Sequence, residues 1–362
     1  MYTAFIVYLG SMLIMLVACR ANINIRSIAI IISIVFFSLL MSIRSYVGVD
    51  FESYLYMYKE KQYYLGGNLE IYRIEYAYQF LIYVLNLITT SAVPFFFLCA
   101  FLPLYIFYRF FVDVFNEKYF CYFVLPFFSL LLPDSLNIMR QFMTFSIFIY
   151  SLRYISERKA LTYIICILIG SLFHKSILIC LPFYLILNQS FSVKKIYQII
   201  ILTSLFIISY VYELPIYNIL TKIPFLLSYD SYLKSDIIVF NKGFGYILIF
   251  AVKLLLVLGF NNNRYNHNSY YRVLYNLFLL SFITYLLPTD LLIGRLLYYL
   301  TPSFLILAAL HTYYAFSKIR LQTNSFNLEN MYVIGINIAL LAILISNIIK
   351  GASQISPFEF II

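Results

Sequence analysis

Tryptophan is absent from the 362 residues, histidine occurs three times, cysteine five times, and charged residues make up only 11% of the chain. Each shortage excludes something. Ordinary soluble domains carry roughly 25% charged residues, so a chain that is 63% hydrophobic cannot hide its apolar surface in a water-soluble fold. His174, His267 and His311 are too widely spaced for a metal-ligand cluster. The cysteines Cys19, Cys99, Cys121, Cys166 and Cys180 lie inside apolar runs without a C-x-x-C pair and read as small buried hydrophobes. No Gly-rich phosphate loop is present, so no nucleotide cofactor is expected, and no cofactor of any other kind is implied. The lack of tryptophan, a favoured sugar-stacking residue, weakens any carbohydrate argument from the 37 Tyr and 36 Phe.

What is present is apolar sequence, nearly unbroken from Tyr2 to Ile349, with no internal repeat, long polar linker or low-complexity tail. The expected fold is therefore all-α: a polytopic integral membrane protein with about 11 to 13 transmembrane or re-entrant helices, forming a single membrane-embedded domain over residues 1–362. Spans are expected near 2–19, 27–43, 74–91, 94–112, 119–133, 137–154, 160–173, 176–188, 195–211, 244–260, 271–288, 296–316 and 331–349. The first run lacks a basic flank and a small-residue cleavage site, so it reads as a retained span.

The net charge of +10 would suggest nucleic acid in a soluble protein, but here the basic residues sit in short connectors. Lys and Arg collect at Arg20 and Arg26, at Arg153, Arg158 and Lys159, at Lys194 and Lys195, at Arg264 and Arg272, and at Lys318 and Arg320. The positive-inside rule places these groups in the cytoplasm. The external side then receives loops near 44–73 and 212–243 and the turns near Arg140, His174 and Arg295. Thirteen full crossings would put Arg140 on the wrong side relative to Arg44. A re-entrant 119–133, interrupted by Pro126 and ended by Pro133, is the simplest repair.

Charges at a membrane boundary that topology does not explain are the functional candidates. Four groups qualify, all mapped to the external side. In RSYVGVDFESYLY, Arg44 closes the second span and Gly48 permits a tight turn before Asp50, a pair suited either to phosphate binding and proton abstraction or to an interfacial anchor. In SLNIMRQFMTF, Arg140 and Gln141 sit in the first turns of a helix, where guanidinium and dipole both favour an anion, although an arginine snorkelling to the interface would look the same. In GSLFHKS, His174 and Lys175 end an apolar helix, suited to acid–base work or to a structural role. In LPTDLLIGRLLYYLTP, Asp290 and Arg295 open a span with Tyr298 and Tyr299 one turn below. Repeated arginines on the side that disfavours them argue for an anionic ligand. Lys253, inside the span 244–260, needs a partner that the sequence does not name.

The order of RSYVGVDFESYLY, Glu75 opening EYAYQFLIYVL, IMRQFMTFSIFIYSLRYISERK, LIGSLFHKSILICLPFYLI and GRLLYYLTP resembles the EpsG-like group of bacterial polysaccharide polymerases, which overlaps the Wzy-type O-antigen polymerases. The resemblance implies an inner-membrane enzyme working at the periplasmic face. It would transfer glycan from an undecaprenyl pyrophosphate donor to the non-reducing end of a lipid-linked acceptor. Its implied partners are the undecaprenyl pyrophosphate-linked oligosaccharide, membrane lipid and a chain-length regulator protein, with no nucleic acid. Carried over residue by residue, the resemblance assigns Arg140 and Arg295, assisted by Arg44, to the pyrophosphate. Asp50 or His174 then becomes the base, supported by Gly48, Gln141, Lys175 and Tyr298. The rival functions are an O-antigen ligase, which shares external Arg and His, and a lipid-linked oligosaccharide flippase, which would show related halves.

Overall fold

The computed structural model describes residues 2–60, 75–190, 194–211, 244–259, 262–282, 298–321, 328–351 and 354–360. Among them, Val93–Val114, Glu117–Asn137 and Met331–Lys350 are long and apolar enough to cross a membrane, and six shorter apolar helices accompany them. This is a helical membrane protein. The chain divides into two compact units. The first comprises Met1–Tyr154, Lys159–Leu181 and Asn337–Ile362, and the second Ile155–Arg158 with Pro182–Ile336.

In the first unit, α1 (Tyr2–Ala18) and α2 (Arg26–Ser42) form a hairpin, and β1 (Arg44–Ser45) and α3 (Phe51–Lys59) follow. Next come α4 (Tyr76–Asn86), α5 (Val93–Val114), α6 (Glu117–Asn137), α7 (Met139–Ser156) and α8 (Ala160–Ser171). A 3-10 helix, Lys175–Cys180, succeeds α8. Pro126 lacks the N–H that a helix interior requires, and α6 widens into a π-turn over Phe127–Leu131 immediately after it. The Ser129 carbonyl in this turn accepts from Asn347 Nδ2 at 3.0 Å, so the irregular backbone is satisfied by a neighbouring helix.

The two ends of α6 settle the parity problem differently from the expectation. At its start, Glu117 Oε1 accepts from Arg26 Nη1 at 3.2 Å, beside the first residue of α2. At its far end, Leu136 O accepts from Arg44 Nη2 at 3.1 Å, just past the last residue of α2. The segment containing 119–133 therefore runs the full length of α2 and is not re-entrant.

In the expected span 74–91 the helix is shorter than a straight crossing requires. Its helix, α4, has 11 residues, about 16 Å at 1.5 Å per residue, against a hydrocarbon core of about 30 Å. Both ends of α4 stay with α3: the Tyr54 and Tyr78 rings lie 6.1 Å apart, and Asn86 Nδ2 donates to Tyr58 O at 3.0 Å. α5 and α6 are each long and apolar enough to cross, and Arg44 and Arg140 share an end of the unit.

The opposite end of the unit carries its own polar cluster. Asp113 accepts from Arg109 at 2.7 Å, Arg153 at 2.8 Å and Tyr150 at 2.7 Å. Outward faces are apolar: Ile338, Leu341, Ile345 and Ile349 recur every three or four residues and are exposed, as a lipid-facing stripe requires.

The second unit contains α9 (Lys195–Val211), α10 (Phe244–Leu258), α11 (Asn262–His267), α12 (Ser269–Leu280) and α13 (Pro302–Leu321). The last long helix, α14 (Leu328–Lys350), starts in this unit and ends in the first. Lys253 on α10 finds the partner that the sequence did not name: its Nζ donates to Ser281 O at 3.2 Å. It also lies over the rings of Phe282 and Phe304, at 5.2 and 5.5 Å. After α14 the chain returns as β2 (Glu359–Phe360), which pairs antiparallel with β1 in the register Arg44 to Phe360. This two-strand ladder is a small departure from an all-α fold.

Candidate functional site

Five segments far apart in sequence meet at the α3–α4 end of the first unit. They are the turn after α2, the start of α4, the start of α7, the end of α8 and the C-terminal tail. An aromatic cluster holds them together, formed by Phe51, Tyr54 and Tyr58 of α3, Tyr78 and Ile82 of α4, Phe95, Phe96 and Cys99 of α5, and Met139 of α7.

Arg44 is fully buried at 0% exposure. Its guanidinium donates to the carbonyls of Met41 at 3.3 Å and Leu136 at 3.1 Å, touches Met139 Sδ at 3.4 Å, and lies 5.1 Å from the Phe96 ring. No carboxylate is within ion-pair distance of it among the described residues. Burial lowers its pKa to about 10, which leaves it cationic at neutral pH. These contacts hold the turn after α2 against the end of α6 and leave Arg44 no open approach for an anion.

Gly48 shapes that turn. Its φ of +100° lies where L side chains are rare, and a Cβ there would sit 3.0 Å from Leu136 O and 3.1 Å from Asn137 Oδ1. Its N–H donates to Gln354 O at 3.0 Å, and Asn137 Oδ1 accepts from the next amide, Val49 N–H. Asp50, partly exposed, stands at the N-cap of α3 without a side-chain capping bond.

Arg140 is organised differently. Its Nη1 donates to Glu75 Oε2 at 2.7 Å, the Tyr54 hydroxyl lies within hydrogen-bonding reach, and the Tyr78 ring centroid is 5.8 Å away. Its side chain keeps 22% exposure, whereas Glu75 keeps 8%. Burial pushes the Tyr54 phenol above its ordinary range, so it remains protonated. Gln141, the next residue, is buried. An arginine that is fixed in direction yet open to solvent is what capture of an anionic oxygen requires.

Glu75 precedes the first residue of α4 but makes no capping bond to its own helix. Besides Arg140, it accepts from the Lys175 amide through Oε1 at 3.3 Å, while Ala77 N–H donates to Leu172 O at 2.9 Å. Glu75 thus ties α4 to α7 and to the chain leaving α8. His174 caps the 3-10 helix: its Nδ1 accepts from Ser176 N–H at 3.2 Å and lies 2.8 Å from Ser176 Oγ. A backbone N–H can only donate, so Nδ1 carries no proton and a neutral ring carries it on Nε2. The Lys175 side chain is exposed.

Arg44, Gly48, Asp50, Arg140, Gln141, His174 and Lys175 therefore all belong to this end of the first unit. Tyr298 is buried in a 3-10 turn, Tyr298–Leu300, of the second unit. Asp290 and Arg295 lie outside the described residues. The sequence reading named Glu75 only as part of a resembling motif, with no role at the site, and did not single out Tyr54 or Asn137.

No curated protein and no solved structure matches the chain. A family model described as the EpsG family matches residues 27–360, from the start of α2 through β2, and so includes every element that builds this site. The chain belongs to the EpsG family.

Proposed function

We propose that this protein is a polysaccharide repeat-unit polymerase. Its family is associated with glycosyltransferase-like polymerase activity. In this reading it transfers glycan from an undecaprenyl pyrophosphate donor to the non-reducing end of a lipid-linked acceptor, at the periplasmic face of the inner membrane. The observation that carries the proposal is Arg140: a partly open guanidinium, aimed by Glu75 and flanked by Tyr54 and Tyr78 at a membrane end.

The chemistry needs a cationic hold on a leaving diphosphate, and a fixed guanidinium supplies it without reorganising during the reaction. Arg140 takes the pyrophosphate; Arg295, which the sequence pairs with it, lies outside the described residues. Arg44 acts by position, keeping the Gly48 turn and the end of α6 in place beside Arg140. His174, with Nδ1 occupied, offers its Nε2 proton to the departing oxygen. A carboxylate at the same end receives the acceptor's proton.

The experiment is complementation of a host lacking its polymerase, with wild type or Arg140→Ala at matched membrane abundance, read as glycan length on gels. A ladder with wild type and a single-repeat product with the variant support the assignment. A ladder with both removes Arg140 from the reaction, and loss of all surface repeat points to ligation or flipping.

A further inference from the structure

Glu75 is the one buried carboxylate among the described residues. It spends neither oxygen on capping its own helix and instead meets Arg140, the residue assigned to the diphosphate. We propose that Glu75 is the base of the transfer and that donor binding arms it by drawing Arg140 away from it. This inference rests on the polymerase reading above.

In the resting arrangement, Glu75 Oε2 is ion-paired at 2.7 Å, so the Arg140 guanidinium occupies the oxygen that would meet an acceptor hydroxyl. Arg140 is the more open partner of the two, so an incoming anion reaches the guanidinium before it reaches the carboxylate. A diphosphate carries more charge than one carboxylate and can engage the planar fork of arginine through two oxygens, so it competes well for those donors. Once the exchange has occurred, Glu75 Oε2 is a buried acceptor with no donor on it, open to the hydroxyl of an incoming acceptor. The Lys175 amide still holds Oε1, so the freed oxygen keeps its position.

The step balances. The acceptor hydroxyl gives its proton to Glu75, and its oxygen forms a bond to the donor's anomeric carbon. The bond from that carbon to the diphosphate oxygen breaks, the electron pair goes to that oxygen, which takes the Nε2 proton of His174, and undecaprenyl pyrophosphate leaves held by Arg140. Glu75 then gives up its proton, and His174 regains one, through water. Attack opposite the leaving group inverts the anomeric centre. Asp50 is less suited to the role because it is partly exposed at the start of α3.

The test uses the full-length protein in membranes supplied with lipid-linked repeat unit. Polymer formation and retention of undecaprenyl pyrophosphate are measured for wild type, Glu75→Gln, Glu75→Asp and Arg140→Ala. Glutamine keeps the size of the side chain and one acceptor oxygen, enough for either the Arg140 or the Lys175 donor, but takes no proton. The expected result for Glu75→Gln is a fall in polymerisation of about 100-fold or more, with undecaprenyl pyrophosphate held as tightly as by wild type or more tightly. Partial polymerisation by Glu75→Asp is expected as well. A wild-type ladder from Glu75→Gln would overturn the proposal, and so would parallel loss of polymer and of binding, which would make Glu75 a positioning residue for Arg140. If Arg140→Ala polymerises normally, the polymerase reading of the site fails instead.

Discussion

Replacing Arg44 separates a structural guanidinium from one that touches substrate. In the folded protein it bridges two carbonyls, Met41 O at 3.3 Å and Leu136 O at 3.1 Å, at 0% exposure. Lysine is a point donor that cannot span both, so Arg44→Lys loses a charge-assisted hydrogen bond, about 1.5–3 kcal/mol. Arg44→Met removes the costly buried charge but strands both carbonyls, at about 1–3 kcal/mol each. The assay is a thermal ramp of the detergent-solubilised protein with a thiol-reactive fluorophore. Cys99, buried in the aromatic cluster beside Phe95 and Phe96, reports opening of this end. Both variants should label at lower temperature than wild type, and Arg44→Lys should keep part of its polymer ladder below its own melting point. A variant that melts like wild type yet makes no polymer would refute the reasoning, because Arg44 would then act on substrate.

Three further outcomes follow from the same contacts. Gly48→Ala forces a Cβ against Leu136 O at a φ of +100° and should cost about 1–3 kcal/mol of strain, read as earlier Cys99 labelling with a shortened ladder. Removing residues 355–362 deletes β2 and the Ile355 carbonyl that accepts from Tyr8 OH at 2.9 Å. Trypsin should then cut the loop after α2 faster, and a normal ladder from the truncated chain would show that the tail is dispensable. Asp113→Asn leaves Arg109 and Arg153 without their acid at the opposite end. At this intermediate burial the cost should be about 1–3 kcal/mol, with the ladder of the surviving protein unchanged. Loss of polymer without loss of stability would contradict the assignment of chemistry to the Arg140 end.

Some of this site could be read directly from residue types, and some could not. Arg44, Arg140 and His174 stood out because a cation on the side that disfavours it demands a cause, and Gly48 because a turn had to reverse the chain before Asp50. Glu75 did not stand out, since an acid just before an apolar helix is the ordinary pattern for a favourable dipole interaction. Only the fold reveals that its side chain serves other segments.

Residues 74–91 and 119–133 differ from the expectation in helix length for a related reason. Apolar content alone does not distinguish a crossing helix from one lying along an end, and the helix in the first segment stops at Asn86. The two prolines near α6 suggested interruption, but a π-turn absorbs Pro126. The partner of Lys253 was invisible because it is a backbone carbonyl, and the β1–β2 ladder because two residues per strand leave no periodic signal.

The most direct test of the central claim is reconstitution of the purified protein in vesicles with undecaprenyl pyrophosphate-linked repeat unit, following polymer length and free undecaprenyl pyrophosphate together. Wild type should lengthen the glycan and release one carrier per bond formed, and Arg140→Ala should do neither. Lengthening by Arg140→Ala at the wild-type rate, or carrier release without any new glycosidic bond, would contradict it.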